Sequence, residues 1–221
     1  MGRHYFRESD FECGESVYNP YSQKHVERVW GKPHKAELAG EWMKRTGQTL
    51  ENISETDRII WIKPGETILG HTNEFIGGRK SVTTKMQARS SLGRNYIETC
   101  KCAGLGDVDF TNRWTMEITN NSRYYSIPLV CGRRVAQIVF LDTDGTLNGS
   151  SYAKTGKYQT GSDLKEIMEK WTPYEMLPKL WKDREIVDGP AADLLEDSAE
   201  TIQNNKQYTK VPPRNNETKE N

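Results

Sequence analysis

Within "MQARSSLGRNYIETCKCAGLGDVDFTNRWTMEITNN", residues 86 to 121, three arginines, two adjacent serines, two aspartates and two glutamates are threaded between short apolar positions. Arg89, Ser90, Ser91 and Arg94 put two guanidinium forks beside two hydroxyls, the equipment that holds phosphate oxygens bidentately. A polyanion is the ligand such a cluster suits. From residue types alone, a polar turn at the end of "SVTTKMQA" accounts for the same residues. Asp107 and Asp109 equally suit a turn cap, and Glu117 an outward-facing strand glutamate.

The rest of the chain limits what that cluster can serve. With 221 residues and 34% hydrophobic content, one substantial core is expected. The 31 Lys and Arg balance 31 Asp and Glu, so no global field attracts nucleic acid, and phosphate binding must come from a local cluster. A nucleotide fits better than a duplex. The N-terminus lacks the apolar run of a secretory signal, and no stretch approaches the roughly 18 apolar residues of a membrane span. A soluble, intracellular protein without membrane or nucleic-acid partners is expected. Cys13, Cys100, Cys102 and Cys131 lack CxxC metal spacing and read as free thiols, with Cys100 and Cys102 on one face of a strand.

The elements that must position the cluster are mostly short strands. From "RIIWIKPGETIL" onward, apolar runs alternate with Gly, Asn and Asp turns: "SVTTKMQAR", "RNYIETCKCAG", "RWTMEITNN", "YYSIPLV" and "RRVAQIVFLD". This spacing predicts a sandwich or barrel. Residues 1–58 read as a polar arm or cap outside the core, with "VYNPYS" a strand entering a turn and "KAELAGEWMKRTG" a helix ended by Gly47. Residues 59–186 form the β domain. Its C-terminal helix carries Leu164, Ile167, Met168 and Trp171 at helical spacing after a Ser162/Asp163 start, with Pro173 interrupting. Trp171 and Trp181 read as core, with no cofactor implied. Residues 187–221 are polar and are expected to be a disordered tail.

The order Arg89-Ser90-Ser91-Leu92-Gly93-Arg94, then Ala103-Gly104, Asp107, Phe110 and "WTMEITN" with Glu117, resembles the dCTP deaminase branch of the trimeric dUTPase superfamily. That branch carries R-S-S-L-x-R followed by T-A-G-x-I-D-x-G-F-x-G-x-I-T-L-E-x-x-N, and the interval from first arginine to glutamate matches without a gap. "IPLVCGRRVAQIVF" and "YAKTGKYQ" are similar to later motifs of the family. The likeness covers roughly residues 60 to 160, and four ordered motifs are far more specific than one glycine-rich loop. The chain departs from the pattern at Gly106, where the family has isoleucine, at Val108 for proline, and at Asp109 and Asn112 for glycines. Gly161 stands where many relatives have a second glutamine.

The resemblance implies a mainly β fold, a distorted β barrel or jelly roll with a C-terminal helix, assembled as a homotrimer with active sites between subunits. It implies hydrolytic deamination of dCTP to dUTP and ammonia, on the route to dUMP. Glu117 would shuttle protons between water, N3 and the leaving ammonia, while Ser90 and a backbone carbonyl near Ala103 hold the water and Arg94 stabilises the charged site. Arg89, Ser90 and Ser91 would cradle the phosphates, with Gly104 beside the nucleotide and Asp107 on the deoxyribose 3′-hydroxyl. Phe110 would pack on the sugar, or simply in the core, and Tyr152, Lys157 and Gln159 would fold over the nucleotide. Mg²⁺ would ride on the triphosphate with no protein metal cage. Zinc deaminases use H-x-E with P-C-x-x-C, and this chain has no P-C-x-x-C. His71 is read as structural. Other readings remain: a bifunctional enzyme forming dUMP, a dUTPase, or an inactive nucleotide-binding trimer. Gly104 leans toward the dUMP-forming members, because Ala-His-Arg is typical of deaminases that stop at dUTP.

Overall fold

The fold follows from how short apolar strands alternate their side chains between two buried layers. The computed structural model describes residues 1–8, 17–101, 104–144, 152–159, 161 and 163–183. The chain separates into two units, Met1–Leu180 and Trp181–Asn221. In the second, where residues 181–183 are described, Lys182 Nζ lies 5.0 Å from the centroid of the Trp181 ring. The tail from 187 to 221 lies outside the described residues.

The first unit opens with β1 (His4–Arg7), α1 (Gln23–Trp30), β2 (His34–Lys35), β3 (Glu37–Leu38) and α2 (Ala39–Thr46). Then come β4 (Arg58–Ile62), β5 (Thr67–His71), β6 (Ile76–Gly77), β7 (Val82–Ala88), the one-turn α3 (Ser90–Gly93), β8 (Ile97–Thr99), β9 (Leu105–Gly106), β10 (Thr111–Asn112) and β11 (Thr115–Asn120). It closes with β12 (Ile127–Val130), β13 (Ala136–Asp142), α4 (Tyr152–Thr155) and α5 (Leu164–Lys170). The paired strands are antiparallel, in sheets of order β2-β1-β5-β11-β8, β12-β4-β3, β13-β7-β9 and β10-β6. The fold is therefore mainly β with a C-terminal helix, and no closed barrel forms among the described residues.

Between β4 and β5 the Lys63–Glu66 turn passes the chain from one sheet to another. Gly65 takes φ +73°, which Pro64 before it and glycine's missing Cβ make inexpensive, and Glu66 N donates to Lys63 O at 3.0 Å. On β5, Ile68 faces the main core with Ile60, Ile62, Met116 and Ile118. Leu69, on the opposite face, joins Phe6, Val26, Met176 and Leu177. Asn120, fully buried at the end of β11, donates to Ile62 O at 2.8 Å and Tyr125 O at 2.7 Å and accepts from Ser122 N at 2.9 Å. A buried amide so engaged locks the crossing of three segments.

Several expectations are corrected by this packing. Residues 1–58 are not an arm outside the core, because β1 pairs with β5, and Phe6, Val26 and Ala39 are buried in two core clusters. "VYNPYS" forms a turn leading into α1, where Asn19 Oδ1 accepts from Tyr21 N. The helix α2 does end at Gly47, which adopts φ +69° and caps Met43 O. Asp163 caps α5 by accepting from Lys165 N and Glu166 N, but only part of the expected stripe is inside: Ile167 is buried while Leu164 and Met168 are exposed. Cys100 leaves the strand, at φ +61° just past β8, and Cys100 and Cys131 are free thiols. Cys13 and Cys102 lie outside the described residues.

Candidate active site

Glu117 sits in the middle of β11, opposite Leu69 of β5, half-buried. Its backbone carbonyl accepts from Cys100 N at 3.0 Å, and among the described residues its carboxylate makes no hydrogen bond or ion pair. Burial, reinforced by the Glu117 charge, pushes the Cys100 thiol up to about 12. At neutral pH that sulfur stays protonated, so it is no nucleophile.

At the end of β7 the chain turns into α3, whose first turn is fixed by Leu92 N to Arg89 O at 2.9 Å and Arg94 N to Ser90 O at 2.9 Å. Leu92 anchors this turn against the main core, leaving Ser90, Ser91 and Arg94 exposed, with no side-chain hydrogen bond among the described residues. Arg89 donates from Nη1 to Arg134 O at 3.3 Å, a contact an anion could replace. The turn packs against β8, which pairs with the Glu117 strand. The sequence motif is thus presented as a polar surface one strand away from the carboxylate.

A second group forms around Asp107. Phe110 N donates to Asp107 O at 3.0 Å, and the Phe110 ring meets Trp114 at 5.3 Å and Tyr152 at 5.4 Å, both edge-on. Burial raises the Tyr152 phenol, a hydrogen bond with the Tyr158 backbone opposes this, and the Asp107 charge adds to the rise. Gln159 Oε1 accepts from Thr111 N at 2.8 Å while its Nε2 donates to Gly161 O at 2.9 Å. Lys157 Nζ stands 5.5 Å from the Tyr158 ring centroid. The Tyr152–Gln159 segment is therefore folded onto its own β9–β10 region.

Three departures from the family pattern are absorbed locally or explained by packing. Asp109 takes φ +69°, the conformation glycine would supply, and its Oδ1 accepts from Lys80 N at 3.0 Å. Asn112, buried, donates to Tyr158 O and accepts from Arg113 N, both at 2.8 Å. At Gly106 a Cβ would stand 2.6 Å from the Trp114 ring, so the indole fills space a larger residue would need. At Gly104 a Cβ would come 2.3 Å from Met86 O, because Met86 N donates to Gly104 O at 2.6 Å. Ala103 lies outside the described residues.

One chain does not bring the two groups together. Thr84 pairs with Gly106, so Asp107 stands level with Thr83, while Arg89 is six residues farther along β7, about 20 Å at roughly 3.3 Å per residue. The residue spacing carried no sign of this separation. It also gave no warning that Gly77 would lie under Phe110, where a Cβ would sit 1.8 Å from the Phe110 carbonyl oxygen.

His71 has a structural place. It is 2% exposed, and burial lowers its pKa from 6.5 to about 4, against the raising effect of its bond to the Thr72 carbonyl and with the Arg113 and His4 charges adding to the fall. Since the folded state prefers neutral imidazole, its contribution is complete above pH 6.5 and is lost as pH falls toward 4. Urea unfolding in phosphate-free buffer is expected to show about 2 kcal/mol less stability at pH 5 than at pH 7. A flat profile across that interval would contradict the buried neutral state.

These strands form a mainly β protein that carries an exposed Arg-Ser-Ser turn and a half-buried glutamate in the middle of β11. The dCTP deaminase-like family model matches residues 24–143, and the chain belongs to that family. Among curated relatives, it is 29% identical over 156 residues to a "dCTP deaminase, dUMP-forming" of Clostridium botulinum (strain Eklund 17B / Type B), covering 67% of this chain and 84% of that one. It is 36% identical over 107 residues to the protein of that name from Leptospira biflexa serovar Patoc (strain Patoc 1 / Ames), covering 48% and 56%. Against the one from Clostridium acetobutylicum it is 32% identical over 124 residues, covering 55% and 66%. No helix among the described residues is long and apolar enough to cross a membrane.

Proposed function

We propose that this protein hydrolytically deaminates dCTP and releases the deaminated nucleotide as dUMP. The observation that carries the deamination reading is the half-buried Glu117 carboxylate, free of hydrogen-bond partners among the described residues, on a strand adjoining the one that α3 packs against. Glu117 takes a proton from water as the C4–O bond forms and delivers one to N3. Glu117 then takes the proton of the new C4 hydroxyl and passes it to the amino group as the C4–N bond breaks, so that ammonia leaves and the C4 carbonyl remains. Ser90 orients the water, and Arg94 offsets the carboxylate's charge. Arg89 and Ser91 hold phosphate oxygens, and Asp107 holds the 3′-hydroxyl. Mg²⁺ fits as an ion carried by triphosphate oxygens and water: the exposed Asp107 carboxylate makes no hydrogen bond among the described residues and is available to one of its waters.

The dUMP product is supported by the relatives' names and by the turn around Asp107. Gly104 keeps that backbone narrow, and the Asp109 and Asn112 side chains are spent on Lys80 and Tyr158 rather than projecting where a second water would attack the α-phosphorus. A second hydrolysis then expels pyrophosphate. Separating dCTP turnover products by ion exchange with Mg²⁺ present is expected to give dUMP in step with ammonia. Persisting dUTP would restrict the activity to deamination, and absence of ammonia would refute the reading altogether.

A homotrimer completes the site in this reading. The separation of Arg89 from Asp107 supports it, as does the β13-β7-β9 sheet, where Leu105 is 68% exposed on β9 and Val139 and Leu141 are exposed across β7 on β13. Sedimentation at micromolar concentration is expected to show a trimer, and a monomer alone would contradict the shared site.

A further inference from the structure

Away from the proposed nucleotide site, a cavity of about 500 Å³ opens where the ends of β1, β4 and β5 meet the turn after β12. Its volume lies in the usual range for a small-molecule site. Arg3, Arg58 and Arg113 line it, residues 55 positions or more apart in sequence. Arg113 packs into the corner formed by the Phe75 and Trp171 rings, which meet edge-on, its Cζ 4.8 and 4.9 Å from their centroids, and its Nε is buried without a partner. Arg58 is steadied by donating to Ala36 O at 3.0 Å. Of the two carboxylates nearby, Asp57 is engaged by Arg133 at 3.6 Å and by Ser54 N at 3.1 Å, and Glu74 bears on Arg113. Cationic groups prevail.

His71 also lines the cavity. His71 Nδ1 is 2.8 Å from Thr72 O, and since a carbonyl only accepts, Nδ1 carries the proton. Arg113 Nη1, 3.2 Å from Nδ1, donates to that same carbonyl at 3.1 Å. Nε2 is then a bare lone pair, buried and without a partner. A buried acceptor left unpaired is destabilising, and a ligand hydroxyl would satisfy it.

We propose that this cavity binds a phosphate-bearing ligand that also presents a hydroxyl, its phosphate oxygens on Arg3, Arg58 and Arg113 and its O–H donated to His71 Nε2. Two sources share this chemistry: inorganic phosphate, which keeps a P–OH at neutral pH, and a hydroxylated phosphate monoester. Sulfate matches phosphate in shape but has no proton to donate.

Titration calorimetry at pH 7 in chloride buffer with inorganic phosphate, ribose 5-phosphate and sulfate tests this on the full chain. Phosphate, ribose 5-phosphate or both are expected to bind at least about tenfold more tightly than sulfate, the tighter of the two identifying the source. Arg3→Glu alters an exposed side chain and is expected to weaken that binding at least fivefold while leaving dCTP turnover unchanged. Arg89→Glu, in the proposed phosphate cradle, is expected to leave it intact. Binding lost in Arg89→Glu but retained in Arg3→Glu would overturn the proposal, as would sulfate binding as tightly as phosphate, or no binding at millimolar concentration.

Discussion

Glu117→Gln is expected to lower ammonia release from dCTP at least about a hundredfold, the lower end of what a positioned acid–base group contributes. The amide keeps the span and the half-buried position on β11 but cannot cycle a proton between water, N3 and the leaving amine. Cys100 cannot substitute, because burial beside Glu117 holds its thiol up to about 12. Nucleotide binding is expected to survive, so the loss should fall on kcat and leave KM nearly unchanged. Turnover near the parent rate would reduce Glu117 to a surface strand residue.

The second large effect is expected from Gly104→Ala, on stability rather than chemistry. The added methyl would stand 2.3 Å from the Met86 carbonyl oxygen, and that atom is backbone held in the β7–β9 pairing, so no side chain can swing aside. Overpacking of this kind costs typically about 1–3 kcal/mol and displaces the turn that carries Asp107. Chemical denaturation should show the loss, and dCTP turnover should fall with it. An unchanged midpoint would mean that the strands separate without penalty.

Much of the fold was legible because its signals are local. The strands β4, β5, β7, β11 and β13 are apolar runs bounded by turn residues, α2 stops at a glycine, and Asp163 caps α5. The polar composition of residues 1–58 misled because Phe6 and Val26 are single buried residues in short elements, and a composition average hides them. The stripe on α5 failed in the opposite way: helical spacing says which residues share a face, not how much of that face is covered, and Leu164 and Met168 are exposed.

The candidate site could be listed from the sequence but not arranged. Arg89 and Asp107 are 18 positions apart and read as neighbours, yet the register of β7 against β9 sends them in opposite directions. The glycines needed at 77 and 104 depend on which backbone passes over them, Phe110 in one case and Met86 in the other. The cationic cavity draws on residues 3, 58 and 113, a set no motif could mark.

The proposed sharing of the site between copies of the chain is most directly tested by coexpressing Arg89→Ala and Asp107→Ala chains and measuring ammonia release from dCTP. Each variant alone should be nearly inactive. If one chain supplies Arg89 and its neighbour Asp107, random assembly leaves both residues intact in roughly a quarter of the sites, and about that fraction of the parent activity should return. Mixed assemblies as inactive as the separate variants would contradict a site shared between chains.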